Sequence, residues 1–237
     1  AIIGFYPQKV IPINASQESA IYNGNREKRN VSLMFNVYEN TDVVNGIVEV
    51  LNQKKVKATF FVGGCWADDN KETLLNIVYS GHEIANHGYF HRDHKKLDYQ
   101  ANYNEINLTD KIVESLCGQK PKLFAPPSGS YSQMTLQSAF DLDKQVIMWS
   151  KDTIDWRDSD PTLIFNRATK NATGGDLVLM HPKQHTLNIL GTIIDYYLNL
   201  LSNDNKLKAE YVLQEEYGGM FYWENNCDHT GKLLKAL

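Results

Sequence analysis

The feature that most restricts the fold is an alternation. Short apolar runs of strand length are followed repeatedly by segments whose apolar residues recur at helical spacing. Val31-Ser32-Leu33-Met34-Phe35 and Ala58-Thr59-Phe60-Phe61-Val62 read as buried strands. Between them, Val44, Ile47, Val48 and Leu51 fall at i, i+3, i+4 and i+7, one face of a helix that Thr41 or Asp42 is placed to cap. Leu74, Leu75, Ile77 and Val78 give a short helix stopped by Gly81. Glu83–Asn86 is a third strand, and Ile106, Ile112, Val113 and Leu116 mark a long helix ending at Gly118. Leu123-Phe124-Ala125 is a strand that breaks at Pro126-Pro127, and Val146–Trp149 and Asp176–Leu179 are further apolar runs. Asp160-Pro161 starts a helix with the acid at the N-cap and proline at the first helical position. Ile189, Ile193, Ile194 and Tyr197 carry the last clear helix. Repeated βα units build a parallel sheet or barrel whose function sits in loops at the strand C-termini. No repeat, linker or low-complexity stretch divides the 237 residues, so residues 1–237 are expected to form one domain.

Charge and composition exclude several functions. The net charge is −4 and the basic residues are scattered, which leaves no electrostatic footprint for nucleic acid. No apolar run reaches membrane-spanning length, so no membrane contact by this domain is expected. Ala1-Ile2-Ile3-Gly4-Phe5-Tyr6 is no signal peptide, and a targeting segment or anchor is expected upstream. Cys65, Cys117 and Cys227 are too widely spaced for a zinc knot or disulfide framework and read as isolated thiols.

The strand ends hold the chemistry. His87-Gly88-Tyr89-Phe90-His91 follows the third strand, and histidines four residues apart can aim both imidazoles at one point, as zinc and similar cations require. Leu179-Met180-His181 puts a third histidine at the mouth of another strand. Asp152-Thr153-Ile154-Asp155-Trp156 adds two acids and an aromatic suited to stacking on a sugar. His82, His94, His185 and His229 have no partner at ligand spacing and read as structural or solvated.

Together these residues resemble the polysaccharide deacetylase (NodB-homology) family of carbohydrate esterases, from about Val31 to Leu200. The family's motifs T-F-D-D, H-[ST]-x-x-H, R-x-P-[YF]-G, D-x-x-D-W and L-x-H correspond in order to Met34–Val37, His87–His91, Ala125–Gly129, Asp152–Trp156 and Leu179–His181. Leu33–Tyr38 also resembles a sporulation-associated branch. The resemblance implies an α/β fold, a distorted parallel (β/α) barrel, at the cell envelope or outside the cell. It implies metal-assisted removal of acetyl groups from N-acetylglucosamine units of peptidoglycan or a chitin-like glycan. His87 and His91 would be ligands to zinc or another divalent metal, and His181 the general acid oriented by Asp155. Trp156 and Leu179 would line the acetyl pocket, and Pro127 and Tyr131 would contact substrate.

The sequence departs from that pattern in three places. Asn36 stands at the catalytic base, and an amide cannot take a proton at neutral pH. Val37 stands at the metal carboxylate, and Ala125 at the arginine that steadies the base. Glu39 and Asp42 are the available replacement carboxylates, otherwise a solvated loop acid and a helix cap. With two imidazoles and no carboxylate, metal is expected to be weakly held or absent. Two functions follow: a slow deacetylase, or a catalytically silent protein that binds glycan through the same cleft. A third is an interaction role in which the histidines are vestigial. Residues 201–237 form an atypical extension in which Tyr217–Asn226 and Gly231–Leu237 resemble the closing strand and helix of chitinase-type barrels, without the paired acids of chitinase chemistry.

Overall fold

The computed structural model describes residues 19–28 and 30–200. The C-terminal extension, the opening apolar run, Cys227 and His229 lie outside the described residues. The chain alternates strands and helices: β1 (Ser32–Val37), α1 (Thr41–Lys54), β2 (Thr59–Val62), α2 (Gly64–Asp69), α3 (Lys71–Tyr79), β3 (Glu83–Asn86) and α4 (Tyr99–Cys117). It continues through β4 (Leu123–Phe124), α5 (Gln133–Asp141), β5 (Gln145–Val146), β6 (Lys151–Asp152), α6 (Pro161–Thr169), β7 (Leu177–Met180) and α7 (Gln184–Leu200). The strands form one parallel sheet in the order β5-β4-β3-β2-β1-β7-β6. Only residues 147–150 separate the two edge strands in the chain, so the sheet curls round into a distorted (β/α) barrel. A single parallel bridge from Ile21 to Ile147 continues the pairing at that corner.

The period of two along a strand sorts side chains into two layers. Leu33, Phe35, Val37, Phe60, Val62, Ile84, Val178 and Met180 face outward and pack with the helices. Val44, Ile47, Val48 and Leu51 of α1 join that layer, as their spacing requires. Each such burial contributes about 1.5–3 kcal/mol. Met34, Phe61, Ala85, Leu123, Ala125, Ile147, Leu177 and Leu179 face inward and fill the barrel.

Several local expectations hold: Asp160 caps α6 with Pro161 inside it, and Gly118 ends α4 with φ 73°. Others need correction. The N-cap of α1 is Asn40, at φ 57°, with no side-chain cap bond. Thr41 instead donates its hydroxyl to Asn70 Oδ1 at 2.8 Å, and Asp42 lies in the first turn. The sequence did not announce α2 or α5. Gly63-Gly64, directly after β2, opens α2, and α5 starts from a Ser132–Thr135 capping box with threonine in place of the usual acid. The run Val146–Trp149 is mostly the bend at the barrel corner; only Gln145–Val146 pairs as a strand.

Candidate functional site

The inward-facing parity carries the site residues to the barrel mouth. Met34 pairs with Leu179 across β1 and β7, so two residues further on Asn36 and His181 sit level and face inward. His87 follows Ala85 by two and faces the same space. Val37 is out of phase: fully buried, it packs in the outer layer with Phe35 and Val62.

Asp155 and His181 form a fixed dyad. The His181 Nδ1–H donates to Asp155 Oδ1 at 2.7 Å, while Oδ2 accepts from the His181 backbone N–H at 2.7 Å and the Thr186 hydroxyl at 2.6 Å. Burial alone would raise the carboxyl pKa, but the bonds from His181 and Thr186 outweigh it and hold Asp155 below the usual carboxylate range. His185 Nε2–H donates to the Asp155 carbonyl at 2.7 Å and fixes the backbone behind the dyad.

His87 is buried and donates its Nδ1–H to the Ala125 carbonyl at 2.8 Å, which leaves Nε2 as a bare acceptor. Burial, reinforced by the neighbouring His91, pushes its pKa down to about 3, so the ring is neutral. His91 lies at φ 53° with its ring edge-on to His87, centroids 5.4 Å apart. Burial and then His181 also lower its pKa. His181 therefore acts electrostatically on both members of the pair.

The backbone of the histidine loop is held on every side. Glu105 of α4, only 6% exposed, accepts the N–H groups of Tyr89 at 3.0 Å and Phe90 at 2.8 Å through one oxygen, Oε2. Gly64 N–H and Cys65 N–H, at the start of α2, donate to the carbonyls of Gly88 at 2.9 Å and Tyr89 at 3.3 Å. The Tyr38 hydroxyl reaches the same two carbonyls, and its ring meets His91 edge-on at 4.9 Å. A methyl at Gly63 would fall 2.0 Å from the Tyr38 ring, so that position needs glycine. Asn86 completes the clamp, accepting from Gly88 N–H and donating to Asp110, each bond 2.7–2.8 Å long.

Sequence reading missed Tyr38, Glu105 and Thr186, whereas His185, read as structural or solvated, is structural. For Glu105 a signal was present. Asn102, Glu105, Ile106, Thr109, Asp110 and Val113 make the buried face of α4, and polar residues on an inward stripe need partners.

The remaining candidates are scattered. Leu179 lines the barrel interior, 2% exposed, and Pro127 is buried beneath the turn after β4. Tyr131 meets Tyr22 hydroxyl to hydroxyl at 3.0 Å. Trp156 is 55% exposed with the Arg157 guanidinium 5.9 Å from its ring centroid, a rim platform rather than a pocket wall. Glu39 is ion-paired with Lys183, and Asp42 is exposed on α1. Neither joins the histidines: among the described residues no three His, Cys, Asp or Glu side chains gather to hold a metal ion. The donor set thus does not fit the three-ligand metal centre implied by the sequence motifs. Two imidazoles are held side by side, and the position for the anionic ligand faces away.

A curled parallel barrel with a histidine pair and a histidine–aspartate dyad at its mouth is a carbohydrate esterase scaffold. The chain matches the polysaccharide deacetylase family over residues 23–147 and belongs to that family. It is 34% identical to the uncharacterized protein YlxY of Bacillus subtilis over 184 residues, 78% of this chain and 58% of that protein. It is 31% identical to a peptidoglycan-N-acetylglucosamine deacetylase of Bacillus cereus over 68% of this chain and, again, 58% of the relative. The chain thus spans less than two thirds of the length of both. Among solved structures, BA3943 of Bacillus anthracis, described as a CE4 family pseudoenzyme, superposes with TM-score 0.77 at 33% identity over 81% of this chain and 67% of that one. A BA3943 mutant described as having restored enzymatic activity superposes equally well, TM-score 0.77 at 31% identity over 81% and 70% of the two chains.

Proposed function

We propose that this chain is a cell-envelope member of the family that binds an N-acetylglucosamine polymer of the peptidoglycan or chitin type in the cleft at the barrel mouth, with deacetylation slowed by orders of magnitude. The observation that carries this reading is the phase of β1: Val37 points into the outer core and Asn36 alone faces the cleft. The site keeps an oriented His181, whose Nδ1 proton is fixed by Asp155 and whose Nε2 faces the cleft as the group to exchange a proton with a leaving amine. It lacks the group that would take a proton from attacking water. The expected deficit is about 10²–10⁴-fold, the usual worth of a general base. His87 and His91 would hold a divalent cation weakly, and exposed Trp156 with Leu179, Pro127 and Tyr131 would contact sugar. The peptidoglycan deacetylase among the relatives supports the glycan class, and the BA3943 pseudoenzyme supports the lost chemistry.

The test pairs binding of chitin oligomers, by calorimetry, with acetate release from the same oligomers in added zinc. Binding with little or no release is expected. Brisk release by the unmodified protein would overturn the reading, as would an absence of any glycan binding.

A further inference from the structure

A line of buried polar groups starts in the turn before β5 and ends in the histidine loop. Lys144 places its ammonium 2.5 Å from Asp110 Oδ2 and donates to the Pro121 carbonyl at 2.5 Å. Asp110 Oδ1 accepts from Asn86 Nδ2 at 2.7 Å, and the same amide donates to the Ile106 carbonyl at 2.8 Å. Asn86 Oδ1 then accepts the Gly88 N–H at 2.8 Å. Lys144 and Asp110 are 3% exposed and Asn86 is fully buried. Glu105 takes the next two loop amides, so α4 governs three successive N–H groups, one of them through Asn86. Lys144 and Asp110 lie outside all five sequence motifs.

The line decides which way the Asn86 amide points. Gly88 at φ 73° and His91 at φ 53° put two left-handed residues into the turn that follows His87, and such a backbone needs its amides anchored. A half-turn of the Asn86 side chain would set Nδ2 against the Gly88 N–H, donor on donor, and Oδ1 against the Asp110 carboxylate, acceptor on acceptor. Asp110 therefore locks the orientation that Gly88 requires, and Lys144 supplies the cation without which Asp110 would be an uncompensated buried charge. Apolar residues in place of a buried ion pair are often as stable, so filling space does not by itself call for this one. Direction does.

We infer that Lys144 is a positioning residue for the histidine loop: through Asp110 and Asn86 it fixes the turn that sets His87 and His91 side by side, and with them one wall of the cleft. That the loop is a wall of a glycan cleft rests on the function proposed above; the hold of Lys144 on Gly88 does not.

The experiment joins amide hydrogen exchange by NMR to calorimetric titration with a β-1,4-linked N-acetylglucosamine tetramer, both on the full chain. The variants are Lys144→Met, Lys144→Gln, and Lys144→Met combined with Asp110→Asn. Leu51→Ala, a fully buried site in the last turn of α1, controls for general loss of stability. Relative to the slowest core amides of the same variant, Gly88 N–H should exchange about tenfold faster in Lys144→Met than in the control, the worth of one buried hydrogen bond. Lys144→Gln keeps a donor but no charge; it should give a smaller rise, still above the control, and remains readable if the methionine variant does not fold. Tetramer affinity should fall by a similar factor in Lys144→Met and hold in Leu51→Ala. Both signals should return toward the original in the double variant, where no buried charge is left unpaired. Gly88 exchange no faster than in Leu51→Ala, in whichever lysine variants fold, overturns the inference. An unchanged tetramer affinity with Gly88 released overturns it too, since the loop would then form no wall of the cleft. If the unmodified protein binds no tetramer, the glycan assignment fails on its own, and the Gly88 rates decide whether Lys144 holds the loop.

Discussion

Glu105→Ala should destabilise the protein by about 3 kcal/mol, because its carboxylate accepts two loop amides that have no other acceptor among the described residues. Tyr89 N–H and Phe90 N–H donate to it at 3.0 and 2.8 Å, and each amide left unsatisfied costs roughly 1–3 kcal/mol. The ion pair with Arg92 adds little, since that arginine is 54% exposed and its Nε lies 3.4 Å away. Both amides use the same oxygen, Oε2, so Glu105→Gln keeps an acceptor in place and loses only the charge assistance, about 1 kcal/mol. With a urea slope of about 2 kcal/mol/M, the midpoints should fall by roughly 1.5 M for alanine and 0.5 M for glutamine. Hydrogen exchange at Tyr89 and Phe90 should accelerate in the alanine variant well beyond the global change, because His91 at φ 53° is held by this clamp. Equal midpoint shifts in the two variants would refute the reasoning, since the carboxylate would then act through its charge rather than as an acceptor.

The other predictions concern the dyad, the lost site and the buried ion pair. Asp155 has a folded pKa below its unfolded value, so its contribution is complete above the ordinary carboxylate pKa and is lost as pH falls through the folded value; Asp155→Asn should flatten the acid limb of a stability–pH curve. A limb of unchanged slope would show that Asp155 does not titrate as the geometry requires. Asn36→Asp alone should restore little activity, whereas Asn36→Asp, Val37→Asp and Ala125→Arg together should gain zinc affinity and acetate release, and adding His181→Ala should remove most of that release. Activity of the triple variant without bound zinc would sink this account. Lys144 and Asp110 form an ion pair at 2.5 Å with side chains 0% and 4% exposed, so Lys144→Met should cost about 3–5 kcal/mol, and Lys144→Met with Asp110→Asn less. Thermal melts of the two variants decide it.

The architecture was legible because βα alternation is written in hydrophobic period, and long helices such as α1 and α4 repeat that period often enough to be unambiguous. Short elements were not. α2 begins at two glycines whose reason is tertiary, the close approach of the rings of Tyr38 and Tyr89 to Gly63 and Gly64. The strand ends carrying His87, His181 and Asp155 could be read from residue type and place. What could not be read was phase: nothing in Asn36-Val37 says which side chain enters the cleft until β1 is registered against β7. Nor could the partners that hold the loop be read, since Glu105 lies 16 residues beyond Tyr89 in sequence and meets it only through the packing of α4.

The three departures at the site are easier to understand as one change than as three. An arginine at position 125, where alanine is fully buried, would need an anion to pair with, and Asn36, at the position of the family's base, is neutral. An aspartate at position 37 would enter the apolar layer around Phe35 and Val62 unless a cation drew the end of β1 inward. An aspartate at position 36 without either would be a buried charge facing the acceptor nitrogens of His87 and His181. Each single reversion is therefore unfavourable in the surroundings created by the other two. Meanwhile the dyad, the His87–Ala125 bond and the Glu105 clamp depend on none of the three, and all are intact.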